Sequence, residues 1–200
     1  VTRDRKVFLA TEFFKKGVKM TQGQRMVGDN VRDDRQKDDF YATPSDATEA
    51  LLSVESFDGT IWECCCGQGH IVKVLEDHGY TVEATDLVDR GFGQSRIDML
   101  MEWKKRENIV TNPPYKGSIE FLRKAVELAQ KKVAFILPLR YLEGVERGEF
   151  FEQHPPVRIW VFKRRVCMIK DGEEVQAGLM GFAWFVFELG HAGKTEIGWL

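Results

Sequence analysis

Thr111-Asn112-Pro113-Pro114-Tyr115 is the stretch of this 200-residue chain whose residue types are best suited to chemistry. Two consecutive prolines fix the backbone and remove two N–H donors. What remains is a rigid loop that presents carbonyl oxygens and the Asn112 amide, with the Tyr115 ring beside them. Such a loop suits a planar group bearing an NH2. Asn112 Oδ1 and the Pro113 carbonyl can accept its two hydrogens, and Tyr115 can stack on the ring. The plainer reading is a proline turn that ends a strand and packs a tyrosine.

A second loop carries Glu63-Cys64-Cys65-Cys66-Gly67-Gln68-Gly69. Gly67 and Gly69 allow the backbone to approach a ligand closely. Glu63 at the end of a strand can accept hydrogen bonds from a cationic amino-acid group. Asp86 lies 19 residues after Gly67, where a carboxylate is placed to hold the two hydroxyls of a ribose. The loop has no Gly-Lys-Ser or Gly-Lys-Thr, and its Gly-x-Gly lacks a third glycine. An adenosine ligand without phosphates therefore fits better than a dinucleotide, and S-adenosylmethionine (SAM) is the common one. An ordinary strand-to-helix turn is the alternative.

These loops need elements to position them. Thr43 is expected to cap a helix with Pro44 at its first position, and Ala47 to Leu52 continue it. Thr60 to Cys64 reads as a short strand. Ile71, Val72, Val74 and Leu75 form a helix face that Gly79 can end. Thr81 to Thr85 and Asn108 to Thr111 read as strands, Ile119 to Ala129 has helical spacing, and Val133 to Leu137 is a continuous apolar strand. Val157 to Phe162, Val166 to Ile169 and Leu179 to Leu189 then read as hairpin strands, with a polar turn over 170–174. Helices alternating with strands, followed by hairpins, describe an α/β sheet that is mostly parallel with an antiparallel C-terminal edge. In such a sheet ligands bind at the C-terminal strand ends, which is where both loops fall.

Hydrophobic residues make up 43% of the chain and charged residues 30%, an ordinary globular composition. A formal charge of -2 excludes a protein held on nucleic acid mainly by a large overall positive charge, but not a local basic groove. No apolar run approaches the roughly 20 residues needed to span a bilayer, and no secretory signal is expected. The adjacent Cys64, Cys65 and Cys66, with the distant Cys167, suit neither a disulfide framework nor a zinc site. Free thiols in a cytoplasmic protein are expected, and no metal. Residues 1–37 read as a polar, partly flexible arm with an apolar patch over Val7 to Phe14, and residues 38–200 as the folded domain.

Taken together, these motifs resemble the SAM-dependent amino methyltransferases, especially small, phage-type N6-adenine DNA methyltransferases. Asn112 to Tyr115 is similar to their catalytic turn, and Glu63 to Gly69 to their first cofactor motif. The family often begins that motif with Asp-Pro or Glu-Pro, where this chain has Glu63-Cys64. Phe40-Tyr41-Ala42-Thr43-Pro44 resembles the segment that covers the cofactor just before the first helix. Ile97-Asp98-Met99-Leu100 resembles the segment whose aspartate binds the cofactor's adenine. Phe135 to Leu139 and Phe182 to Phe187 resemble later strands, so the likeness covers about residues 38–190.

The resemblance implies a Rossmann-like methyltransferase fold, SAM as cofactor and DNA as partner. It implies Asn112, Pro113, Pro114 and Tyr115 as catalytic residues. Tyr41, Thr43, Pro44, Glu63, Cys64, Gly67, Gly69, Asp86, Leu87, Asp98 and Asn112 are implied to bind the cofactor. The methyl group would pass directly to the amine, leaving the thiols as spectators. The same turn also serves RNA adenine and protein glutamine methylation, and a non-catalytic module that binds nucleic acid is a further alternative. Arg140 to Glu149, Lys163-Arg164-Arg165, the turn over 170–176 and the arm are the candidates for contacting DNA. Lys104-Lys105-Arg106 and Lys131-Lys132 read as solvated faces, and His70 as a helix-start residue.

Overall fold

A computed structural model describes residues 40–170, 173–174 and 180–200. The expected arm over 1–37 lies outside the described residues. The described chain runs α1 (Ser45–Leu52), β1 (Ile61–Glu63), α2 (His70–Asp77), β2 (Val82–Ala84), β3 (Arg106–Thr111), α3 (Ser118–Leu128), β4 (Ala129–Pro138), α4 (Val145–Gln153), β5 (Arg158–Val161), β6 (Ile169–Lys170), β7 (Glu173–Glu174), β8 (Phe182–Glu188) and β9 (Glu196–Trp199). Single 3-10 turns precede β3 and follow β4. No helix among the described residues is long and apolar enough to cross a membrane.

Seven strands form one sheet in the order β2-β1-β3-β4-β8-β5-β9. β1 to β4 pair in parallel, and β8 runs against both β4 and β5. The sheet is therefore the mostly parallel, Rossmann-like one expected, with its antiparallel pairing on the C-terminal side. From β1 the chain moves outward to β2 and then returns to add β3 on β1's other flank. Strand order thus switches between β1 and β3, which opens a crevice at their C-terminal ends.

Both faces of the sheet are covered, and the alternation of side chains along each strand assigns residues to a face. In β4, Val133, Phe135 and Leu137 join a core with Leu122 and Ala125 of α3 and Phe150 of α4. The intervening Ala134 and Ile136 join Leu51 of α1, Leu75 of α2 and Trp184 of β8. Leu51 and Leu122 are fully buried, each worth roughly 1.5–3 kcal/mol of transfer free energy. Trp184 also ties α1 to the sheet by donating its indole N–H to the Ala47 carbonyl at 2.8 Å.

Three local expectations are revised. Pro44, not Thr43, occupies the cap position of α1, and no side chain caps that helix. The Thr43 hydroxyl has a distant partner instead, described below. α3 ends at Leu128 and the chain enters β4 at once, so Ala129 belongs to the strand. The segments 166–169 and 179–189 do not form one hairpin. β6 pairs with β7, while β8 inserts between β4 and β5 in the main sheet. A seven-residue apolar strand buries more surface between two neighbours than at a polar turn, and all but the last residue of β8 are buried.

Candidate active site

The crevice at the β1/β3 switch holds a cavity of about 290 Å³, near the lower bound for small-molecule sites. Four chain segments supply most of its expected residues. Glu63, Cys64 and Asp86 come from the ends of β1 and β2, Asn112, Pro113 and Pro114 from the end of β3, and Tyr41 and Thr43 from the segment before α1. Leu87 and Asp98 complete the set. Leu87 is apolar yet 58% exposed, a surface that an aromatic ring could cover.

Asn112 is fixed by what its amide donates. Nδ2 donates to the Tyr41 carbonyl and to Thr43 Oγ1, each at 3.0 Å. Both amide hydrogens are thereby used within the protein. Oδ1 is left buried with no hydrogen-bond partner. A buried acceptor without a partner costs roughly 1–3 kcal/mol, so its retention at a cavity wall points to a ligand donor. The Pro113 residue beside it is buried and lines the same cavity.

Glu63 presents a second unsatisfied acceptor. It is 1% exposed. Oε1 accepts the Cys65 N–H at 3.0 Å and the Thr111 hydroxyl. Oε2 is buried with no partner. Burial is the main cause that raises this carboxyl from 4.5 to about 8; the hydrogen bonds from Thr111 and Cys65 pull the other way, and Asp86 adds to the rise. Near neutral pH the group is mostly protonated, and a cation placed against Oε2 would ionise it.

Asp86 is engaged by the loops it joins. Oδ2 accepts the Gly67 N–H and Oδ1 the Val88 N–H, both at 2.8 Å. Each oxygen keeps further acceptor capacity toward the cavity. Asp98 Oδ1 accepts the Leu100 N–H at 2.9 Å and so starts the 3-10 turn before β3.

Gly67, Gly69 and Pro44 shape the site without lining it. Gly67 and Gly69 have φ of 54° and 82°. A Cβ there would stand 2.3 Å from the Phe40 ring and 2.5 Å from the Phe92 ring. The two rings thus press on a backbone that only glycine accommodates.

Tyr115 is placed differently from the rest of its turn. It does not line the cavity. Its ring stacks on Tyr41 at 6.0 Å between centroids and packs against Phe182 at 5.8 Å. In this arrangement it buttresses the segment that holds Asn112.

Cys65 and Cys66 are poor nucleophiles here. Burial pushes Cys66 up to about 12, and a side-chain hydrogen bond with Cys64 together with burial raises Cys65 well above its usual value. All four cysteines are free. His70 starts α2 and lines the cavity; burial, then Lys73, lowers its imidazole.

Phe40 and Met99 fall within the segments that carry the family resemblance, whereas other lining residues had no sequence signal, among them Arg90 and Phe121. The Arg90 guanidinium lies 4.2 Å from the centroid of the Phe40 ring. Thr111 opens the proline turn in the sequence, but its pairing with Glu63 was not read there, although a hydroxyl at a strand end beside an acidic strand end is a natural partner.

No protein-family model matches this chain, and no curated protein does at a significant level. Solved structures do match its fold. A candidate RNA methyltransferase, PH1948, from Pyrococcus horikoshii aligns with a TM-score of 0.54 and 13% identity, over 72% of this chain and 81% of that one. The M protein of the type I restriction enzyme EcoKI aligns with a TM-score of 0.53 and 13% identity, over 76% of this chain and 44% of that one. Protein 1320 of Thermoplasma acidophilum aligns at 0.50 and 13% identity, over 72% and 85%. The chain therefore has the Rossmann-like fold of methyltransferases.

Proposed function

We propose that this protein is a SAM-dependent methyltransferase that modifies an exocyclic amine, the N6 of adenine in DNA. The observation that carries the reading is the Asn112 amide. Its hydrogens are spent on Tyr41 and Thr43, and its bare oxygen is left at the cavity wall. The fold shared with the EcoKI M protein is consistent with DNA as substrate.

The residues present fit the cofactor. Glu63 offers a buried acceptor to a cationic amino-acid group, Asp86 offers carboxylate oxygens to a ribose, and Asp98 and Leu87, which line the same cavity, would meet an adenine. When bound, SAM supplies a methyl group on positively charged sulfur, which becomes a neutral thioether as a nitrogen lone pair takes the methyl.

The protein's part is positioning and electrostatics. Asn112 Oδ1 and the Pro113 carbonyl accept the two hydrogens of the target amine. Holding both hydrogens turns the nitrogen lone pair out of conjugation with the ring, toward the methyl donor. The same acceptors guide the one proton that the methylated nitrogen must release to water. In duplex DNA the base has to leave the stack to reach them.

Transfer of labelled methyl from SAM to DNA, RNA and protein substrates tests this reading. Label recovered as N6-methyladenine from DNA is the expected result. Label in RNA adenine or a protein glutamine would keep the chemistry and change the substrate. Tight SAM binding with no transfer to any of them would make the protein a binding module.

A further inference from the structure

A second depression of about 530 Å³ lies at the C-terminal ends of β4 and β5, beside the start of β8. Its charged lining is Arg140, Lys163, Arg164, Arg165 and Glu143, an excess of three positive charges. The three from 163 to 165 follow β5, and Arg140 follows β4. Arg140, Lys163 and Arg164 are exposed, and their side chains have no ion-pair or hydrogen-bond partner among the described residues. Elsewhere the basic side chains of this sheet are paired: Lys131 with Asp58 and Glu107, Lys132 and Arg158 with Glu55 and Glu188, Arg106 with Glu83. In a chain whose formal charge is -2, this is a local concentration of unneutralised charge.

Its place matters as much as its charge. β3, β4 and β5 run parallel to one another, so the depression opens at the same end of the sheet as Asn112. Tyr115 links the two sites by contact, touching Tyr41 of the cavity and Phe182 of the depression. Phe162 and Phe182 give the basic lining an apolar floor.

We infer that this groove binds the phosphate backbone of duplex DNA, with Arg140, Lys163 and Arg164 as its phosphate contacts. The assignment of DNA rests on the proposed function; the groove and its free cations do not. Phosphate contacts fix register and orientation without reading sequence. Here they would hold the strand flanking a displaced adenine while the base enters the cavity.

The test is binding of a short fluorescent DNA duplex followed by anisotropy between about 50 and 200 mM salt, a range over which phosphate contacts dominate. It compares the parent protein with Arg140→Gln/Lys163→Gln/Arg164→Gln. Each phosphate contact contributes about 0.9 to the slope of log affinity against log salt, so the triple variant should lose about 2–3 from that slope. Its affinity for DNA should fall at least roughly tenfold at the lower salt, with SAM affinity and thermal midpoint unchanged. Should the triple variant fold poorly, Lys163→Gln and Arg164→Gln alone should each lower the slope by about 0.9. Unchanged slope and affinity would overturn the groove while leaving methyl transfer untouched. A poly-glutamate peptide, or RNA, that competes better than DNA would overturn the choice of ligand. A parent protein whose groove holds DNA as described but which methylates no adenine would leave the groove standing and refute the proposed function.

Discussion

Asn112 Nδ2 donates to Thr43 Oγ1 at 3.0 Å across 69 positions of sequence. This bond, with its partner to the Tyr41 carbonyl, decides which end of the Asn112 amide faces the cavity. Replacing Thr43 with Val removes the acceptor and keeps the shape. At saturating SAM, single-turnover transfer should slow by roughly fivefold to tenfold, the worth of about 1 kcal/mol of hydrogen bonding. Thr43→Ser should restore it. Equal rates for the Val and Ser variants would show that Thr43 does not orient the amide.

Asp86 joins two loops and offers what remains of its lone pairs to the cavity. Asp86→Ala should weaken SAM binding by roughly 1–3 kcal/mol, from the lost charge-assisted bond and the released Gly67 N–H. Calorimetric titration reads this directly. An unchanged affinity would place the ribose elsewhere.

Glu63 makes cofactor binding depend on pH. Its carboxyl sits at about 8 in the folded protein. A bound cation favours the ionised form, so SAM affinity should rise as pH goes from 6 to 8 and level off above that. At pH 7 binding should release about one proton, seen as a dependence of binding heat on buffer ionisation enthalpy. The stability sign is opposite. Because the folded state holds the proton more tightly than the unfolded chain, Glu63 favours folding at low pH and loses that effect between 4.5 and about 8. Glu63→Gln should abolish both slopes; a Gln variant that keeps them would assign the titration to another group.

At the opposite end of the sheet Glu55 organises a structural cluster. It accepts from Arg158, Lys132 and the Trp160 indole. Burial alone would raise its carboxyl, but the bonds from Arg158, Lys132 and Trp160 outweigh burial and hold it below the usual value. Glu55→Ala should cost about 3 kcal/mol in denaturant unfolding, the low end for a broken buried pair because Arg158 and Lys132 still reach water. The parent's stability from this group is present above the unfolded carboxylate range and is lost as pH falls through the lowered folded value. A loss under about 0.5 kcal/mol, typical of an exposed surface change, would show that the cluster is dispensable.

The strand ends and both loops were legible because they are local. Glu63, Asp86 and Asn112 each stand at or just past a strand, and parallel strands bring those ends together whatever lies between them. Thr43 was legible as a cap and, through the family resemblance, as part of the segment that covers the cofactor, but nothing near it names Asn112 as its partner. The apolar alternation of β8 identified a strand but not its neighbours, because pairing order is set by long-range burial. Tyr115 beside a proline turn reads as a ring for stacking on a ligand; the structure stacks it on Tyr41. The packing of Phe40 on Gly67 and of Phe92 on Gly69 was invisible because it joins residues of different loops.

Single-turnover methyl transfer to DNA adenine by Asn112→Ala, with SAM affinity measured alongside, tests the central claim most directly. Transfer should fall by at least roughly 10²–10³, as for loss of one preorganised catalytic hydrogen-bonding group, while SAM affinity stays within about threefold. Turnover at the parent rate would remove Asn112 from the chemistry and with it the reading of this cavity.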